Sequence, residues 1–131
     1  MSGIDYVGQL TERQRGTLAE HLGLEWEEAR PGFIRGRFDV KPHHMAANGF
    51  LHAASIIALA DSACGYGCAI SKPDEALGFT TIELKSNFLG TARDGAVSCV
   101  AQLTHGGRTT QVWDAIVSDE RTAKTIVLFR C

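Results

Sequence analysis

A chain of 131 residues, 44% hydrophobic and 21% charged, has the make-up of one soluble domain able to build its core without disulfides or metal. Its formal net charge of -2 supplies no basic field, which excludes nucleic acid and membrane surfaces as expected partners and leaves a small molecule. The four cysteines, Cys64, Cys68, Cys99 and Cys131, form no C-x-x-C pair and no zinc spacing with histidine, so no metal or other cofactor is expected.

Thr11-Glu12-Arg13-Gln14 has the form of a capping box, with Leu18 and Leu22 following at helical spacing before Gly23, so residues 1–23 read as an N-terminal helical segment of a single domain spanning 1–131. Period-two alternation then runs from Leu24 to Glu28 and from Ile34 to Val40. Pro31-Gly32 between them predicts a hairpin. The apolar run from Ala53 to Ile70 has the length of a membrane span, but it carries Ser55, Asp61 and Ser62, is rich in Ala and Gly, and lacks Trp or Lys anchors. It predicts a helix enclosed by the protein. After Gly78 the pattern is strand throughout: Ile82, Leu84 and Ser86 alternate with Thr81, Glu83 and Lys85. Further strands cover Val97 to Thr104, Val112 to Val117 and Thr125 to Phe129, with a turn at Gly106-Gly107. The expected class is α+β, a long buried helix followed by an antiparallel meander. Cys64, Cys68 and Cys99 fall on apolar faces and read as buried free thiols. The chain begins Met-Ser-Gly-Ile-Asp, without a basic or apolar leader, and together with reduced thiols this reads as a cytoplasmic protein.

Asp61 is the only charged residue between Ala53 and Ile70. An ionised carboxylate is costly to bury unless it is paired, hydrogen-bonded or used, so its position asks for a chemical role. It lies in the stretch Asn48-Gly49-Phe50-Leu51-His52-Ala53-Ala54-Ser55-Ile56-Ile57-Ala58-Leu59-Ala60-Asp61. This stretch resembles the hot-dog fold thioesterases, in particular PaaI-like acyl-CoA thioesterases of the phenylacetate-pathway type. Their pattern is a Gly, two residues, His-Gly-Gly, and a helix bearing an acidic residue nine positions after the His. Gly49, His52 and Asp61 fall in that register, and the element order matches from about Leu24 onward.

The resemblance implies an antiparallel sheet wrapped around the long helix, a homodimer or a tetramer of dimers, and hydrolysis of an acyl-CoA thioester to free acid and CoA. It implies that Asp61 is a general base or a nucleophile, and that the backbone N–H of Ala53 polarises the thioester carbonyl. Thr81 is similar in position to a strand hydroxyl that places water in some relatives, and is equally readable as an ordinary strand threonine. His52 either shapes the donor pocket or is simply packed. Asn48 is the polar residue nearest to Ala46, which stands where many relatives carry Asn or Gln, and it also reads as a turn residue. Gly49 serves backbone geometry. Arg108 and Thr109 resemble a Gly-Arg-Thr/Ser stretch near the nucleotide in relatives, and Arg93 is a second candidate for CoA phosphate. Both arginines also read as solvated loop charges. The motif departs from its relatives at His-Ala-Ala, which keeps the N–H donor and adds methyl groups.

Nine residues along a helix cover roughly 13 Å, too far for one carbonyl to touch both the first N–H and Asp61. A two-fold dimer with antiparallel helices brings the start of one helix to Asp61 of the other, so the monomer is expected to be inactive. Two alternatives share the fold. A dehydratase of hydroxyacyl thioesters needs its His before a Pro-Gly-rich helix start, which residues 46–50 do not supply. A non-catalytic acyl-CoA binding module acting as a sensor needs an appended DNA-binding segment, for which the first 23 residues are too few and too neutral.

Overall fold

The computed structural model describes residues 3–131. In chain order these form helices α1 (Tyr6–Arg13) and α2 (Leu18–His21), strands β1 (Glu25–Arg30) and β2 (Phe33–Asp39), a 3-10 turn at Pro42–His44, helix α3 (Ala53–Ser71), and strands β3 (Lys85–Phe88), β4 (Ala96–Gly106), β5 (Gln111–Asp119) and β6 (Thr125–Arg130).

The N-terminal segment differs from the expected capping box. Asp5 caps α1, its carboxylate accepting the Gly8 N–H at 2.9 Å, while Thr11 lies inside the helix and its hydroxyl donates to the Val7 carbonyl at 2.9 Å. A mid-helix threonine that bonds four residues back has no hydroxyl left for capping. Gly16, at φ 77°, then turns the chain into α2.

Gly32, at φ 83°, closes the β1–β2 hairpin as Pro31-Gly32 predicts. All six strands pair antiparallel in the order β1-β2-β4-β5-β6-β3. Strands β4, β5 and β6 form the expected meander, but β3 does not precede it in space. It crosses to the far edge and pairs with β6, Lys85 opposite Arg130 and Phe88 opposite Val127. A second departure is that the expected strand through Thr81 and Ile82 is absent, and β3 begins only at Lys85.

One sheet face carries the row Ile34, Ala101, Ala115 and Phe129, all buried, and α3 packs on this face across β1, β2, β4 and β5. The opposite face carries Arg35, Val100, Ile116 and Leu128 at the neighbouring register positions. Cys64 and Cys99 are buried free thiols, burial pushing Cys99 up to about 12, whereas Cys68 is only partly covered.

Alpha3 lies close to β5 because Gly67 has no side chain. The Trp113 ring, 2% exposed, occupies the space where a Cβ would stand. Replacing Gly67 with Ala is expected to destabilise the fold by about 1–3 kcal/mol, since overlap with a ring that cannot withdraw outweighs the gain in helix propensity of about 1 kcal/mol. A thermal melt reads this directly. Only seven of the 19 residues of α3 are buried within the chain, although an 18-residue window of it reaches a mean hydropathy of 1.4. One flank of an apolar helix is therefore only partly covered.

Candidate active site

Helix α3 starts where the local sequence forces a turn. Asn48 Oδ1 accepts the Phe50 N–H at 3.1 Å, Gly49 takes φ 87°, and Ala46 N–H donates to the Phe50 carbonyl at 2.7 Å. Thr91 Oγ1 accepts the Leu51 N–H at 2.9 Å and ties this turn to the loop after β3. Asn48 is thus engaged as a turn residue, in an exposed position, and Gly49 supplies the left-handed backbone.

His52 is the N-cap of α3 and is exposed. Its Nδ1 accepts the Ala54 N–H at 2.9 Å, so the proton of the neutral ring sits on Nε2. The Ser55 N–H donates to the His52 carbonyl at 3.0 Å. The Ala53 N–H, at the surface, is left without an acceptor among the described residues. His44 lies behind this turn, and its carbonyl accepts both the His52 N–H and the Ser55 hydroxyl, each at 2.9 Å.

Asp61 stands two turns further along, half-buried, with no hydrogen bond or ion pair among the described residues. Burial raises its pKa above the ordinary 3.8. Asp61 and Gly65 share a helix face, and Phe79 approaches Gly65 so closely that a Cβ there would lie 3.5 Å from the Phe79 ring. Asp61 therefore lies on the helix face that Phe79, from the segment before β3, approaches, on a partly covered flank of α3. In that segment, in β3 and just after it, Phe79, Ile82, Leu84, Phe88 and Leu89 are exposed.

The other candidate residues divide between the two ends of α3. Arg93 stacks over Phe50, 5.1 Å from its ring centroid, beside the helix start. Arg108 and Thr109 are exposed in the β4–β5 turn at the opposite end, where Ser71 Oγ accepts the Gly32 N–H and Gly32 borders Leu103. Thr81 is exposed in the irregular segment before β3. One chain thus gathers Asn48, Gly49, His52, Ala53 and Arg93, and holds Asp61, Thr81, Arg108 and Thr109 apart from them. Of the apolar residues near the motif, Leu51 is buried and Tyr66 packs edge-on against Trp26 at 5.2 Å, which places both in the core rather than along a ligand surface.

A cleft of about 660 Å³ lies between the N-terminal segment and the 3-10 turn, and neither Ala53 nor Asp61 lines it. Sequence reasoning passed over His44, whose signal was Ser55, a buried hydroxyl on an otherwise apolar helix face that requires an acceptor.

A family model described as the thioesterase superfamily matches residues 48–126, which takes in the helix start, Asp61 and the sheet. The chain belongs to the thioesterase superfamily. It is 31% identical over 115 residues to the 1,4-dihydroxy-2-naphthoyl-CoA hydrolase of Listeria monocytogenes, covering 87% of this chain and 91% of that one. A crystal structure of a mutant of thioesterase PA1618 from Pseudomonas aeruginosa superposes with a TM-score of 0.89 at 26% identity, over 98% of this chain and 91% of the other. The E. coli PaaI protein from the phenylacetic acid degradation operon shares the fold, with a TM-score of 0.83 at 23% identity over 95% and 89% of the two chains. The architecture is the hot-dog fold, and this superfamily member is a thioesterase.

Proposed function

We propose that this thioesterase hydrolyses an acyl-CoA to free acid and CoA, working in the cytoplasm as a homodimer or a dimer of dimers. The observation that carries this reading is the pairing of an open Ala53 N–H at the start of α3 with a partnerless, half-buried Asp61 on the flank of the same helix. An attacked thioester carbonyl develops charge on oxygen, and a fixed N–H donor stabilises it. Asp61 takes the proton of an attacking water or attacks the carbonyl carbon itself. The two groups lie roughly 12 Å apart along one rigid helix, so each site draws Ala53 from one subunit and Asp61 from the other. The partly covered flank of α3 and the exposed apolar residues in and before β3 support such a pairing.

An antiparallel pairing of the helices also carries Arg108 and Thr109 of one subunit toward the Arg93 end of its partner, where the phosphates of CoA are expected. His52 shapes the donor turn as a cap, with Asn48 and Gly49 holding the backbone that leads into it. Thr81 lies on the segment facing the partner and is a candidate for placing water. The Listeria relative, by its name, acts on an aromatic acyl-CoA, and Phe79 beside Gly65 offers a ring surface next to Asp61.

The test is release of free thiol by the purified protein across aromatic, short-, medium- and long-chain acyl-CoAs. Turnover of at least one of them is the expected outcome. A protein inert toward all four classes, yet folded and dimeric, would falsify the reading.

A further inference from the structure

We propose that His44 and Ser55 are positioning residues for thioester hydrolysis, forming a clamp that sets the direction of the Ala53 N–H and makes the N-terminal helical segment part of the catalytic apparatus. The clamp rests on the reading of Ala53 as the oxyanion donor.

The bonds form an unbroken series. The His44 carbonyl accepts the His52 N–H and the Ser55 hydroxyl, both at 2.9 Å, which fills its two lone pairs. His52 N–H fixes the position of the chain one residue before Ala53, and the Ser55 hydroxyl fixes the rotation of the first turn two residues after it. The direction of the intervening N–H follows from those two restraints.

The His44 residue is itself held on both sides. Its Nδ1 accepts the Lys41 N–H at 2.9 Å, and its Nε2 donates to the Leu22 carbonyl at 2.7 Å. Only a neutral ring protonated on Nε2 satisfies both partners. The ring is 1% exposed and packs against Phe38 at 4.2 Å between ring centroids. Burial holds its pKa below the usual histidine value, which keeps the ring in the form that the two bonds require. Leu22 closes α2, and the neighbouring Gln14 fastens the same segment to the sheet by donating to the Leu24 carbonyl and accepting the Trp26 indole N–H, each at 2.8 Å. The segment before β1 is thereby linked to the first turn of α3 through a single buried side chain. The ring thus sits behind the helix turn at which the Ala53 N–H is left open.

Ser55→Ala removes one bond of the clamp with little change in volume. His44→Asn keeps an acceptor near Lys41 and loses the donor to Leu22, while His44→Phe keeps the ring and loses both. At a temperature where each variant is fully folded and has the parent oligomeric mass, Ser55→Ala is expected to lower kcat about tenfold with KM for the same acyl-CoA within about twofold, because a donor displaced by a fraction of an ångström fails in the transition state more than in the ground state. His44→Phe is expected to lose at least as much and His44→Asn to regain part of it. A lowered Tm with parental kcat in Ser55→Ala, or equal loss of kcat and binding, overturns the proposal whether or not the His44 variants fold. Asp61→Asn is measured alongside. If it is inactive while Ser55→Ala turns over like the parent, the clamp alone is rejected; if it retains turnover, the acid is rejected and the kcat of Ser55→Ala still decides the clamp.

Discussion

Asp61→Asn is expected to lower kcat by about 10²–10⁴-fold, the range for removing a general base, and by more if Asp61 is the nucleophile. The fold should survive the change. Burial raises the pKa of Asp61 above 3.8, so the folded chain binds this proton more tightly than the unfolded chain does. The sign of the linkage follows: as pH rises from 3.8 through the raised folded value, ionisation of Asp61 subtracts from stability, and the full cost is present above it. A neutral amide removes that cost, and the Tm of Asp61→Asn at neutral pH should be no lower than that of the parent. The same shift sets the pH profile. Only the ionised carboxylate serves as base or nucleophile, so kcat/KM of the parent should fall on acidification along a limb lying above the ordinary carboxylate range. An acid limb centred at 3.8, or a folded Asp61→Asn with parental turnover, would remove Asp61 from the mechanism.

The second large effect comes from mixing two inactive proteins. Proline is tolerated at the first position of a helix, where the N–H has no intrahelical partner, and His52 before it already has φ -65° and ψ 134°, as a residue preceding proline requires. Ala53→Pro therefore deletes the proposed oxyanion donor while leaving α3 in place, and turnover should fall by about 10²–10³-fold. If each site combines Ala53 of one subunit with Asp61 of the other, co-refolding equal amounts of Ala53→Pro and Asp61→Asn restores one complete site in every mixed dimer. Half of the dimers are mixed by chance, so about a quarter of parental activity should return. Groups acting from the same chain would give no recovery, because neither variant then holds a complete set. Recovery of zero from demonstrably mixed dimers would therefore reject the shared site.

How far the sequence disclosed all this depended on how many signals agreed at each place. Ala53 to Ile70 read as one buried helix because its length, composition and the preceding His52 pointed the same way, and α3 spans Ala53–Ser71. Pro31-Gly32 left the β1–β2 hairpin little freedom. Thr11 misled because a capping box depends on which of two nearby residues holds the helix end, and Asp5 does so. Thr81 and Ile82 alternate like a strand, yet a strand also needs a partner backbone, and no local pattern states where one will be found. Asp61 stood out as a charge in an apolar run. The His44 clamp stayed hidden because its bonds join Leu22, His52 and Ser55 across the chain, and Ser55 alone signals the need for an acceptor without saying which residue supplies it.

The half-covered flank of α3 also bears on how the protein matures if it pairs as proposed. A solitary copy keeps Leu77, Ile82 and Leu84 in water and has an open edge beside β3, so newly made chains are adhesive until they meet a twin. Encounter is then second order in chain concentration. A cell making few copies would hold a disproportionately small fraction in working form, and modest changes in synthesis would translate into larger changes in capacity.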